Sequence, residues 1–395
     1  MSGLVAARTL ADAGREVVVL EASDHLGGRV LSIPCGATVI DAGASHVWSF
    51  YRSTRRWLGR LGLSADLVPV AATQRLPIRL GDLPAILRAM GEVGLNWWRL
   101  DPARPLRAAP LDNRSIAEYA ARRVPPRLVE AALRPAFEWN AFCELEEMSQ
   151  VLVLQAGRLV LGARPHTLRG GLHRLPLALA QGLDVRRGPA HQVLSLELAG
   201  DRVRVRLKSG GELEAGAAVL ATLPSQAAAI LHATGSLEQF LLGVRHSAVA
   251  RGWWQFPARD ADQGLRLVSS PRGRAALASS RVVGDRRVVS LAIYGPAAAA
   301  GEGEDRESWL LARTLDMFPD LLGRPVLEGG AHLWSRAVTT FETGHFRRLA
   351  QVVHALPSGR VRLAGDYLVS PTIEGAALSG ERAAAELLRS SILEP

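Results

Sequence analysis

The segment from Glu16 to Arg29, EVVVLEASDHLGGR, constrains the fold of this chain more than any other. Its apolar run, Val17 to Leu20, suits a strand buried on both faces, the kind found in parallel sheets covered by helices. Ahead of it, Leu4, Val5, Leu10 and Ala11 recur at helical spacing, and Gly14 supplies a natural stop. A helix feeding a buried strand is part of a crossover unit, and crossover units build α/β folds. Glu21 closes the strand. In dinucleotide-binding folds an acidic residue there accepts hydrogen bonds from a ribose, about 20 residues beyond a turn of the form Gly-x-Gly-x-x-Gly. Gly3, with Ser2 before it, stands at the spacing of the last glycine of that turn. The first strand and the first two glycines are missing from the sequence as given. The expectation is therefore a natural start upstream of Met1, with genuine truncation as the alternative.

Gly27 and Gly28 let the backbone approach a pyrophosphate closely, and Arg29 can pair with it. The pattern Glu-Ala-x(4)-Gly-Gly-Arg, from Glu21 to Arg29, resembles the flavin amine oxidase superfamily, which includes monoamine oxidases, protoporphyrinogen oxidases and carotenoid-type desaturases. DAGASHVW, Asp41 to Trp48, resembles the family segment that approaches the flavin, which brings Gly43 and Ala44 to the cofactor. HTLRGGLHRLPLALAQGLDV, from His166, resembles its second entry into the cofactor domain. Alternating residues then predict a three-stranded meander: Leu194, Leu196 and Leu198, then Val203, Val205 and Leu207, with turns at Gly200-Asp201 and Gly210-Gly211. A return strand, AAVLAT, follows. Val193 matches the family position whose backbone meets adenine.

The far end carries a second match, VRLAGDYLVSPTIEGAALSGERAAAELL. A strand ends at Gly365-Asp366, and a helix rich in small residues begins near Glu374, Gly375 and Ala376. The resemblance places these five residues on FAD, with Asp366 near the ribitol or pyrophosphate and the helix dipole facing the flavin. It implies a Rossmann-like α/β cofactor domain of the glutathione-reductase type with a β-meander, over 1–49, 165–230 and 355–395. An α+β substrate domain is implied over 50–164 and 231–354.

The activity implied is hydride transfer from substrate to FAD, which carries the hard chemistry itself. Few side chains need be catalytic, and none is assigned. Typical amine oxidases place a lysine near the flavin and a tyrosine just before the Glu-Gly-Ala step. Here Lys208, on the meander turn, is the only lysine, and Thr372 takes the tyrosine's place. LWSRAVTTFETGH resembles a segment of the porphyrinogen oxidase and desaturase branch and brings Trp334, Arg336 and His345 to the substrate side. GWWQF, Gly252 to Phe256, suits either a pocket wall or a core strand. The expected substrate is large and apolar or cyclic, porphyrinogen-like or isoprenoid, with oxygen or a quinone as electron acceptor. An amine oxidase and a flavin-fold protein without catalysis are the alternatives.

Cys35 and Cys143 fit no metal or redox spacing, so no metal is expected. The family resemblance implies a covalent flavin link only through a cysteine near the C-terminal motif, where neither lies, so FAD is expected to be non-covalent. The formal net charge of +9 comes from scattered arginines without a nucleic-acid-binding motif, which argues against such a partner. The expected location is cytoplasmic. LPAILRAMGEVGLNWWRL reads as an amphipathic helix packed on the domain, or one lying at a membrane surface beside Trp97 and Trp98.

Overall fold

The computed structural model describes residues 1–36, 38–70, 78–159, 163–262, 266–269, 276–299 and 305–390. The first helix, Ser2–Asp12, is followed by the strand Val18–Glu21, which forms where the apolar pattern predicts but is not buried on both faces, since Val18 is exposed and Val19 to Glu21 are half-buried. That strand pairs in parallel with Asp184–Arg187, from Val18 opposite Asp184 to Glu21 opposite Arg187. A second parallel pair joins Ala218–Leu220 to Val361–Leu363. The first helix touches both Val18–Glu21 and Ala218–Leu220. Among the described residues no strand links the two pairs. The meander is present as Val193–Ala199, Arg202–Leu207 and Glu212–Ala215, antiparallel throughout.

The two ends of the chain lock together. The last helix, Ile373–Arg389, lies against the first, and a Cβ at Gly380 would stand 2.2 Å from the Ser2 carbonyl oxygen. Only glycine allows that approach. Leu4, Val5, Ile373 and Ala377 bury in the core formed there, together with Trp57, Leu58, Leu172 and Leu175.

The second half is built on a five-stranded antiparallel sheet, in the order Arg266–Ser269, Ala276–Val283, Arg286–Tyr294, Val249–Pro257 and Glu328–Trp334. Side chains alternate between its faces. Ala250, Trp254, Phe256, Val289, Leu291 and Ile293 pack with Leu310, Phe318 and Leu321 on the covered face. Arg287 is buried on that face, where it pairs with Asp262 at 2.7 Å and with Asp320, and donates to Ser280 Oγ at 2.8 Å. The GWWQF segment thus divides between two environments. Trp254 and Phe256 enter this core, while Trp253 packs on Cys35, Ile40 and Val288.

Helices supply much of the rest. Ile116–Arg123 opens with a capping box between Ser115 and Glu118. Leu83–Leu95 packs on Gln150–Leu159 through an inner stripe that includes Val93. Its outer side leaves Leu83, Leu87 and Leu95 exposed, and Trp97 and Trp98 follow, also exposed. No helix among the described residues is long and apolar enough to cross a membrane.

Candidate active site

Both halves face one cavity of about 1880 Å³. On one wall it meets Ser2, Gly3, Glu21, Gly28, Arg29, Val193, Gly365 and Asp366, residues expected to hold the cofactor, which are far apart in the chain and adjacent in the fold. Gly43, Ala44, Thr372 and Ala376 line it as well.

The geometry of this wall rests on backbone. Gly28 has φ +58°, and a Cβ there would meet nothing within 4 Å. A Cβ at Gly43 would stand 2.2 Å from the Arg29 carbonyl oxygen, which accepts the Ala44 N–H at 2.9 Å. Glu21 ends its strand with Oε1 accepting both the N–H and the hydroxyl of Ser23, at 2.9 and 2.8 Å. Among the described residues no hydrogen bond engages its other oxygen.

Asp366 follows Gly365 at the end of Val361–Leu363 and is buried. Arg29 donates to its Oδ1 at 2.6 Å, and the Thr339 hydroxyl donates to its Oδ2 at 2.8 Å. Arg29 also donates to the Ala337 carbonyl at 3.1 Å. Burial alone would raise the Asp366 carboxyl, but the charge and hydrogen bond of Arg29 together with the Thr339 hydrogen bond and the nearby His246 outweigh it and hold the group below the usual carboxylate range. The pair fixes Arg29 across the cavity edge.

Three residues expected at the site do not line the cavity. Glu374 turns toward the helix Arg52–Arg60, where it accepts the N–H groups of Ser53 and Thr54, each at 2.8 Å, and the Thr54 hydroxyl. Gly375 faces inward, with its would-be Cβ 2.0 Å from the Ser370 carbonyl oxygen. His345 is buried against Phe341, with ring centroids 3.9 Å apart, and its Nε2 lies 2.9 Å from the Tyr367 carbonyl oxygen. Burial pushes its imidazole down to about 4, so it is neutral near pH 7. Trp334 and Arg336 do line the cavity. Trp334 donates its indole N–H to the Ala42 carbonyl at 2.8 Å, and Arg336 reaches Ser225 Oγ at 2.9 Å.

The opposite wall is the open face of the five-stranded sheet. Val249, Leu277 and Ala292 give it an apolar floor beside Phe142 and Trp334. Arg251, Arg281, Asp41 and His46 stand around the same space. Sequence reading passed over the two arginines. The signal was available, because Arg251 sits at a period-two position with Val249 in an otherwise apolar strand.

The whole-chain pattern agrees with a known family. The family model described as flavin containing amine oxidoreductase matches residues 1–388. The chain belongs to this family. It is an oxidoreductase whose cofactor is FAD, and neither Cys35 nor Cys143 lines the cavity to bind it covalently. Among curated relatives, the flavin-dependent L-tryptophan oxidase RebO of Lentzea aerocolonigenes is 41% identical over 71 residues. The match spans 17% of this chain and 15% of that protein. The fold is shared with cyclohexylamine oxidase from Brevibacterium oxydans IH-35A, at 20% identity and a TM-score of 0.74, over 98% of this chain and 96% of that one. It is also shared with a candidate protoporphyrinogen oxidase from Exiguobacterium sp. 255-15, at 17% identity and a TM-score of 0.72, over 100% and 97% of the two chains.

The cavity wall fits FAD. The left-handed backbone at Gly28 leaves open space where any other residue would project a side chain, and the free oxygen of Glu21 is available to a ribose. The first helix turns its N-terminal residues Ser2 and Gly3 toward the same space, where phosphate is favoured.

Proposed function

We propose that this flavoenzyme oxidises a sizeable apolar or cyclic substrate, porphyrinogen-like or isoprenoid, in the space between the cofactor wall and the five-stranded sheet. The observation that carries this reading is the apolar floor of Val249, Leu277 and Ala292 beside Phe142 and Trp334. Bound FAD supplies the hydride acceptor. The protein's own residues bind, orient and exclude water. Glu21, Gly28 and Arg29 hold the dinucleotide end, and the small residues Gly43, Ala44 and Ala376 allow a flat ring to approach. Trp334, tied to Ala42 and packed on His332 at 4.4 Å between ring centroids, forms a rigid side of the substrate space. Oxygen or a quinone would take the electrons. The cofactor and substrate segments would divide as the sequence expectation has them.

An amine substrate is the weaker reading. Lys208, the only lysine, is exposed on the meander turn outside the cavity. Thr372 uses its Oγ1 to accept the Gly375 N–H at 2.9 Å, at the start of the last helix. Anaerobic mixing of the FAD-loaded enzyme with a porphyrinogen, a polyisoprenoid and cyclohexylamine tests the reading. Bleaching of the flavin band by a cyclic or isoprenoid substrate supports it. Bleaching by the amine alone overturns it.

We propose further that the outer face of Leu83–Leu95 rests on an anionic membrane surface. Its exposed leucines form an apolar stripe. Arg158 and Arg99 stack on Trp97 and Trp98 at 4.7 and 4.8 Å, a mix of aromatic and cationic groups suited to lipid headgroups. Sedimentation with phosphatidylglycerol vesicles should be lost in Leu87→Glu. Equal binding to phosphatidylcholine vesicles, or self-association through this face, would count against it.

A further inference from the structure

Two arginines face the substrate space without a protein partner. Arg251 lies in the strand Val249–Pro257 and Arg281 in Ala276–Val283, and both line the cavity. Among the described residues neither guanidinium makes a hydrogen bond or an ion pair. Elsewhere the buried guanidinium of Arg287 is held by Asp262, Asp320 and Ser280. Arg251 is half-buried and Arg281 exposed, both onto the cavity, and an arginine that lines a ligand space with no carboxylate bound to it is ready to take an anion brought by a ligand.

The groups around the pair do not cancel it. Asp41 is the carboxylate that acts on Arg251, and one of its oxygens is occupied elsewhere. Its Oδ1 takes the Ser32 hydroxyl at 2.5 Å and the Leu172 N–H at 2.9 Å. His46 faces the same space, and burial with the charges of both arginines pushes it down to about 4, so it adds no charge near pH 7. His332, opposite Arg251 in register, is also pushed down, first by burial. Burial raises the Asp41 carboxyl; even with that group ionised, two arginines and one carboxylate leave a net charge of +1, which one carboxylate neutralises. A guanidinium presents the forked pair of donors that a carboxylate accepts.

We propose that the substrate carries a carboxylate, which Arg251 binds directly with Arg281 as a second contact, while its apolar body lies on Val249 and Leu277 beside Trp334. The proposal rests on the reading of this space as the substrate site. It adds an anionic anchor to that reading and disfavours a plain hydrocarbon.

Calorimetric titration of the FAD-loaded protein with 2-naphthoate and 2-naphthamide tests it without turnover. The acid should bind at least about tenfold more tightly than the amide, the range of a charge-assisted hydrogen bond. Arg251→Met should abolish that preference and Arg281→Met should reduce it, both with the bound flavin unchanged. Arg251→Lys, which keeps the charge, should recover part of it. Should Arg251→Met fail to fold, the Arg251→Lys and Arg281→Met titrations carry the test. Equal binding of acid and amide to the natural protein overturns the proposal. So does a preference untouched in Arg281→Met and Arg251→Lys, or tighter binding of 2-naphthyl phosphate. Acid preference without bleaching by any porphyrinogen or polyisoprenoid would overturn the substrate reading above and leave the arginine site standing.

Discussion

The two walls of the cavity treat charge in opposite ways. On the cofactor wall Arg29 is held by Asp366, and Glu374, turned away from the wall, is spent on the amides of Ser53 and Thr54. On the sheet wall Arg251 and Arg281 point into space with no protein partner among the described residues. The first wall has its arginine paired before any ligand arrives, its shape comes from glycines and fixed pairs, and one oxygen of Glu21 is left open. The second has charge in reserve. A surface that binds a constant cofactor gains from preorganisation, whereas one that selects a substrate needs groups the substrate alone completes.

The sharpest way to break this contrast is to cut the finished pair. Asp366→Ala would leave Arg29 without its carboxylate. A fully buried broken pair costs about 3–5 kcal/mol, and screening at the partly exposed Arg29 should bring the loss to about 2–3 kcal/mol. Chemical denaturation should show that loss, and the purified variant should retain little flavin. Arg281→Met on the opposite wall should stay within about 0.5 kcal/mol of the natural protein. Equal losses in the two variants would mean that the walls do not differ in this respect.

A smaller effect is expected at Glu21. Its Oε1 already serves Ser23, so the contribution to cofactor binding falls to the other oxygen. Glu21→Ala should weaken FAD binding by about 10- to 150-fold, the equivalent of a charge-assisted hydrogen bond worth about 1.5–3 kcal/mol. Titration of the apoprotein measures it, with the unfolding midpoint as control. Unchanged affinity would remove Glu21 from the ribose site.

The same contrast explains what the sequence makes legible. The cofactor wall is written in short contiguous runs, because a strand, a glycine turn and an acidic residue must follow one another to cradle a dinucleotide. The run from Glu16 to Arg29 and the run ending in Gly365-Asp366 could both be read, and so could the meander, whose alternation is local. The sheet wall is assembled from alternate residues of strands distant in the chain, so no single run announces it. Arg251 is hidden in VARGWWQF, where the apolar neighbours Ala250, Trp254 and Phe256 belong to the other face. The helix-start residues show a second limit. Thr372, Ile373 and Ala376 reach the cavity, while Glu374 and Gly375 are turned away by the 100° step between successive helical residues. The Glu-Gly-Ala motif does mark this helix, but its residues divide between cavity and core. His345 lies in a run, FETGH, whose aromatic neighbour Phe341 draws it into the core.

Thr372 gives the finest test, because it lines the cavity and has two candidate roles. The family resemblance implies that it takes the place of an amine-cage tyrosine, and it caps the last helix by accepting the Gly375 N–H. Loss of an N-cap costs about 0.5–2 kcal/mol, so Thr372→Ala should lower stability by about 1 kcal/mol. Thr372→Ser keeps the hydroxyl and should be nearly silent in denaturation. If capping is its whole role, serine should also leave the ranking of substrates in the flavin-bleaching assay unchanged, although the pocket loses a methyl group. A changed ranking in the serine variant, with stability intact, would place Thr372 among the residues that touch substrate and move the boundary between the two walls to the helix cap itself.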